Sequence, residues 1–256
     1  MGKDQTVLAH CNLFGVLGAI PELLRIDEEA RALVKGQRIS IGFSVKNGPR
    51  ATLFFENGNA VLREGCGSCS IKLYFSSPEK FNGMIDGTAM PLPVSGFFRL
   101  GFLLKNFTKL TDILSSYLRP AEGALENPEF LVKSTKLMLH VIAGSVAQIG
   151  CVDPVGRFSA SNIVDGDIKI SIGDPKSGGA AIAVSAKDHR LQVLESVPEV
   201  SFSEMSFADY QTARDLFDGK INAVAAVGTG KVRIFGMISQ IDNVNRILDR
   251  VSLYLA

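Results

Sequence analysis

The apolar positions of this chain change period several times along its length, and the changes run in the same order twice. Over residues 21–35, Leu23, Leu24, Ile26, Ala30, Leu33 and Val34 recur among Glu22, Asp27, Glu28, Glu29 and Arg31. That spacing predicts a helix with an acidic first turn. From Ile39 to Val45 the pattern shortens to the alternation of a strand. The turn "KNGPR" leads to a second strand over 51–56, and Asn57-Gly58 marks a hairpin into a third over 60–63. Residues 70–76 place Ile71, Leu73 and Phe75 on one face of a fourth strand. Pro78 opens a helix that stops at Gly87. "FFRLGFLL", from Phe97, reads as a further strand, and residues 107–117 as an amphipathic helix stopped by Pro120.

The second half returns this order. Residues 130–149 are helical by composition, 168–172 and 180–186 alternate, and 191–194 and 200–205 are short strands. "FADYQTARDLFDG" is a helix ending at Gly219, residues 232–235 form the last strand, and 237–255 the last helix. The tetrapeptide Ile-Ser-Ile-Gly occurs at 39–42 and again at 170–173, 131 positions on. Asp86-Gly87 and Phe75 recur at 132, Arg99-Leu100 recurs as Arg233-Ile234 at 134, and Tyr117-Leu118 recurs as Tyr254-Leu255 at 137. Small drifts of this kind are what loop insertions produce, so the chain reads as one unit built twice. The turn formers of "AEGALENP" set the boundary near residue 124, giving units 1–124 and 125–256. The expected class is α+β: each unit a mainly antiparallel sheet of about five strands with helices on one face.

Composition narrows the chemistry. Twenty-seven basic against 26 acidic residues leave a net charge of +1 and no basic block, so nucleic acid is not an expected partner. No uninterrupted apolar run reaches membrane-spanning length; the longest, 137–149, contains His140, Ser145 and Gln148. The expectation is a chain that does not span a membrane. The N-terminus imitates a signal peptide only loosely, since His10 and Asn12 break its apolar stretch. Met1-Gly2 with Thr6 fits an N-myristoylation pattern too short to carry weight. Of four cysteines, Cys66 and Cys69 form a Cys-Gly-Ser-Cys between two strands, with no second pair to complete a zinc site. A tight turn flanked by thiols is the plainer reading, a redox pair the sharper one. With no disulfide framework suggested, the cytoplasm is the default compartment.

Catalytic signatures are missing from the sequence. His10, His140 and His189 have no partner at ligand spacing, and "GTGK" at 228–231 precedes a strand, unlike a phosphate loop. No enzyme activity, metal or cofactor is expected.

One stretch carries a family resemblance. "GKINAVAAVGTGKVRIFG", Gly219 to Gly236, runs from a helix end through a short small-residue helix to Gly230-Lys231, an alternating strand and a closing glycine. It resembles the signature region of the sterol carrier protein-2 family, and Phe207-Ala208-Asp209-Tyr210 upstream also fits. The first half resembles it only through the repeat: "AMPLPVSG" replaces the short helix, and Pro91 and Pro93 oppose one there. The resemblance implies an apolar pocket between sheet and helices, filled by a fatty acyl chain, acyl-CoA, sterol or isoprenoid. Its walls in the second unit would be Phe207, Tyr210, Leu216, Phe217, Val227 and Ile234, with Val244, Ile247, Leu248 and Val251 from the last helix. In the first they would be Phe81, Met84, Ile85, Phe97 and Leu100, with Ile113, Leu114 and Tyr117. The implied role is a non-enzymatic lipid carrier. The alternative is an interaction module with collapsed pockets docking onto an enzyme, and a homodimer fits either reading.

Overall fold

The computed structural model describes residues 3–255. Met1 and Gly2, the start of the myristoylation pattern, lie outside the described residues. The chain divides into two compact units between Ala121 and Glu122.

The first unit opens with a long helix, Gln5–Ile26. The Asp4 carboxylate caps it by accepting from the N–H groups of Thr6 and Val7 at 2.8 and 3.2 Å. The helix passes through a π-helical stretch, Cys11–Val16, and a 3-10 turn, Leu17–Ala19. It stops at Asp27, which is extended and caps a second helix, Glu28–Val34, through the Ala30 N–H at 2.8 Å. The helix predicted over 21–35 is therefore two helices meeting at Asp27, whose short carboxylate favours a cap over a helix interior.

Five strands follow: β1 (Arg38–Val45), β2 (Arg50–Glu56), β3 (Asn59–Glu64), β4 (Ile71–Phe75) and β5 (Leu92–Ser95), in the order β3-β2-β1-β4-β5. The sheet is mixed: β1 and β4 run parallel, and the other pairs antiparallel. A third helix, Pro78–Ile85, follows β4. The stretch predicted as the last strand is helical instead, with a 3-10 turn at Phe97–Arg99 and a π-helical stretch at Phe102–Phe107 leading into the last helix, Thr108–Leu118. The strand lies just before it, in the Pro-containing segment. Pro93 is tolerated because β5 is at the sheet edge, where a missing N–H removes no ladder bond, and the register shifts beside it at Lys72/Leu73. Between sheet and helices six phenylalanines fill the core: Phe43, Phe55, Phe75, Phe81, Phe102 and Phe107. Neighbouring rings meet mostly edge to face, with centroids from 5.1 to 6.4 Å apart.

The second unit repeats the plan. Its long first helix, Pro128–Val152, is capped by Asn127. Asp153 ends it and caps a second helix, Pro154–Ala160, accepting from the Gly156 N–H at 2.8 Å. Strands β6 (Gly166–Ile172), β7 (Ala180–Lys187), β8 (Arg190–Val193), β9 (Ser203–Phe207) and β10 (Val232–Gly236) lie in the order β10-β9-β6-β7-β8, again with one parallel pair, β6 with β9. The third helix is Tyr210–Phe217, a short extra helix is Ala223–Gly228, and the last helix is Ile238–Leu255.

Backbone geometry sets the register between the units. The third helices are both eight residues long, capped by Ser77 and Asp209 in the same extended conformation, and closed by Gly87 and Gly219 at φ 72° and 70°. The shift of 132 thus holds from β4 to the end of that helix. Gly96 and Gly236 are also equivalent. A Cβ on either would sit 2.2 Å from a carbonyl oxygen, that of Ser70 or of Phe202, at matching positive φ. This replaces the alignment of Arg99 with Arg233. Because Ile41 faces Ile71 and Ile168 faces Ser203, Ile41 answers to Ile168, a shift of 127. The two Ile-Ser-Ile-Gly copies are therefore four residues out of structural register.

Both first helices are long and apolar enough to cross a membrane by length and composition, with mean hydropathy 1.6 and 1.4. Two thirds of each window is buried in the protein, which is how a core helix behaves. The sequence showed no uninterrupted run because polar residues such as Asn12 and Ser134 are buried with them. The third helix meets each one there: Asn12 donates to Asn82 at 3.0 Å in the first unit, and Arg214 to Ser134 at 2.7 Å in the second.

Candidate functional site

In both units the segment between the third and last helices leaves the core and carries an unusual share of exposed apolar side chains. Half of the large hydrophobic residues exposed among the described residues fall in two stretches of 15 positions, 90–104 and 224–238. In the first unit these are Met90, Leu92, Val94, Phe97, Phe98 and Leu104, with Phe98 wholly in solvent. In the second they are Val224, Val227, Phe235 and Ile238. Local geometry dictates this. Each segment contains an edge strand, β5 or β10, with Gly96 or Gly236 at its far end pressed against the neighbouring backbone. Most side chains of both strands are exposed or half-buried.

The residues singled out from the sequence separate into three depths. Phe207, Val244, Ile247 and Val251 in the second unit, and Phe81, Leu114 and Tyr117 in the first, are buried in the helix–sheet core. Tyr210, Leu216, Phe217, Ile234 and Leu248, and likewise Met84, Ile85, Leu100 and Ile113, are half-buried. Val227 and Phe97 are exposed. The half-buried groups flank the exposed segments: Met84 and Ile85 end the first unit's third helix, and Leu216 and Phe217 end the second's. Phe217 also meets Phe207 edge to face at 5.5 Å, linking rim to core. The Tyr210 hydroxyl donates to the Gly178 carbonyl at 3.0 Å, and the Lys136 ammonium lies 5.8 Å from its ring centre.

Two polar clusters escaped the sequence reading. Tyr117 donates to the Asp27 carboxylate at 2.8 Å, and Tyr254 to that of Asp153 at 2.9 Å. In each unit the last helix is thereby tied to the cap of the second. The repeated Tyr-Leu ending was the signal. In the second unit Arg250 adds two contacts to Asp153, at 3.2 and 2.7 Å. Burial pushes the Asp153 carboxyl up, but hydrogen bonds from Arg250, the Gly156 N–H and Tyr254, with the Arg250 charge, outweigh it and hold the group below the ordinary aspartate range. Arg250 is raised in turn by Asp153. These carboxylates are fully engaged and positioned to hold helices.

Among the described residues the surface has concavities that include two of modest size. One of about 300 Å³ is lined by Gly173, Asp174, Ser206, Phe207, Ala208, Gly230 and Arg233. The other, about 230 Å³, is lined by Thr52, Phe54, Arg63, Glu64, Gly65, Cys66, Gly67 and Ser68. Among the described residues no three His, Cys, Asp or Glu side chains converge to hold a metal.

The fold defines a class: a tandem of two α+β units of identical strand order. No known protein-family model matches the chain, and no curated protein matches it by sequence. Among solved structures the chain is similar to the sterol carrier protein domain 2 of Helicoverpa armigera, at 15% identity and a TM-score of 0.36, covering 44% of this chain and 87% of that one. It is similar to sterol carrier protein 2 of Yarrowia lipolytica in its apo form, at 18% identity and a TM-score of 0.32, covering 44% and 91%. It is also similar to the palmitated sterol carrier protein 2-like 2 of Aedes aegypti, at 17% and 0.32, covering 42% and 90%. All three bear the family name that residues 219–236 resemble.

Proposed function

We propose that this chain is a non-enzymatic binding protein for an apolar ligand of the fatty acyl, acyl-CoA, sterol or isoprenoid class. The observation that supports the reading is the duplicated apolar segment between the third and last helices. An acyl chain laid against Met84, Ile85, Leu100 and Phe97, or against Leu216, Phe217, Val227 and Ile234, leaves water at about 25 cal/mol per Å² of apolar surface. The ligand enters from that rim and extends toward Phe81, Ile113, Leu114 and Tyr117, or toward Phe207, Tyr210, Val244, Ile247, Leu248 and Val251. Side chains of the last helix move aside to admit it.

The filled phenylalanine core of the first unit favours a second reading for that unit. There the exposed segment docks onto a protein partner, and no ligand enters.

Native mass spectrometry of the purified protein, followed by organic extraction, separates the two. An extra mass that disappears on extraction supports the binder, and its stoichiometry counts the occupied units. A clean mass that also refuses added palmitate and palmitoyl-CoA overturns it in favour of docking.

A further inference from the structure

The connection from β3 to β4 holds a feature that the proposed ligand site does not use. Cys66 and Cys69 are both unbridged and half-buried, and they lie over Gly42 in the middle of β1. A Cβ on Gly42 would meet both Sγ atoms at 2.6 Å, so the two sulfurs lie within about 5 Å of one another. Glycine inside a central strand weakens it and marks a close approach by another group; at Gly42 the approaching groups are the two thiols.

The second unit shows that the fold does not require this arrangement. Gly42 pairs with Lys72, and the equivalent pair is Lys169 with Glu204, an ion pair at 3.3 Å. The connection from β8 to β9, residues 194–202, contains no cysteine. One unit fills the spot with opposite charges, and the other clears it for two sulfurs.

We propose that Cys66 and Cys69 form a dithiol–disulfide site, closed by exchange with a low-molecular-weight disulfide and reopened by the reverse exchange with two equivalents of the corresponding thiol. Cys66 lines the concavity of about 230 Å³ beside Arg63 and Glu64, whereas Cys69 does not. Cys66 is therefore the attacking thiol and Cys69 the resolving one. The Cys66 thiolate attacks one sulfur of the oxidant. The oxidant's S–S bond breaks, and one half leaves as a thiol carrying the Cys66 proton. Cys69 then gives up its proton and attacks the Cys66 sulfur, releasing the second half as a thiol. Two S–H bonds of the protein become one S–S bond, and the two electrons reduce the oxidant to two thiols. Burial and the neighbouring Cys66 push the Cys69 thiol up, in keeping with its second place in the sequence. With the sulfurs within about 5 Å of one another, closing the bond brings them to about 2 Å.

The test uses the full chain incubated with glutathione disulfide, quenched with acid, alkylated and measured by intact and peptide mass spectrometry. Wild type is expected to lose two alkylatable thiols as an intramolecular 66–69 disulfide, with no lasting glutathione adduct. Cys69→Ser is expected to accumulate the adduct on Cys66, and Cys66→Ser to react at Cys69 about tenfold more slowly. Gly42→Ala, with its fold checked by circular dichroism, slows ring closure but not adduct formation at Cys66. Exposed Cys151 is the internal reference for an ordinary surface thiol. Lasting adducts on both Cys66 and Cys69 in wild type overturn the proposal. So do equal rates in the two serine variants, or a 66–69 disulfide that forms only in urea.

Discussion

The two units hold the same strand order with different chemistry at equivalent points. Both end the first helix at an aspartate that caps the second, both tie that aspartate to a tyrosine of the last helix, and both press a glycine against the backbone at the end of the edge strand. Around these fixed points the side chains diverge. The first unit enters its edge strand at Pro91 and carries Pro93 within it, and the second reaches its edge strand through the helix Ala223–Gly228. Lys72 becomes Glu204 and Gly42 becomes Lys169, with the loss of the thiol pair. The residues retained are those that determine backbone direction. A cap, a positive φ or a backbone contact admits few side chains, whereas a packed or exposed face admits many.

The sharpest way to break the comparison is at the aspartates. Asp153→Ala removes the cap, the tyrosine contact and the partner of Arg250 from a buried site, and should cost about 3 kcal/mol or more. Asp27→Ala removes a cap and a neutral donor's partner, and should cost about 1–2 kcal/mol. Urea unfolding of both variants checks the difference; equal losses would mean that Arg250 contributes nothing. The same contrast has a pH signature. The folded Asp153 carboxyl titrates below its unfolded value, about 3.9, so the unfolded chain binds more protons there and stability rises with pH. The advantage of wild type over Asp153→Asn should be full above about pH 4 and fade as the pH falls through the folded value.

Next in size are the paired glycines. Gly96→Ala and Gly236→Ala should each cost about 2 kcal/mol, because each forces a methyl group onto a carbonyl at positive φ. Matching losses sharpen the equivalence of the two edge strands, and a large loss at only one of them breaks it. The smallest stability effect is expected at the exposed segments. Phe98→Ser and Ile238→Ser should leave stability within about 0.5 kcal/mol of wild type. If the segments seat an apolar ligand, both should weaken the displacement of a fluorescent fatty acid several-fold.

The inward face of β4, with Ile71, Leu73 and Phe75, was legible in the sequence, whereas β5 was not. The inward face of β9 is Ser203, Met205 and Phe207 rather than Phe202 and Glu204. The register between the units was not legible. The Ile-Ser-Ile-Gly match is displaced by four positions from the structural alignment. An even displacement keeps every inward residue inward, so alternation alone could not expose the error. "FFRLGFLL" looked like a strand because its aromatics favour one. Packing of Phe102 and Phe107 against Phe55 holds it as a helical lead-in to Thr108–Leu118, a case of tertiary contacts overriding local preference. The Asp27 cap to the Ala30 N–H is local, but within the acidic run Asp27-Glu28-Glu29 it does not stand out, and the tyrosine that also holds it lies 90 residues away. At the site, Phe81 and Phe97 are alike in sequence, yet one is buried and the other exposed. Periodicity reports which side chains are apolar, and only the packed chain reports which of them the core leaves over.

Hydrogen–deuterium exchange of the full chain, with and without saturating palmitate, tests the central claim most directly. The account predicts slowed exchange in residues 84–104, in 216–238, or in both, which are the equivalent segments between the third and last helices. Exchange unchanged in both segments while palmitate is bound elsewhere, or not bound at all, would contradict it.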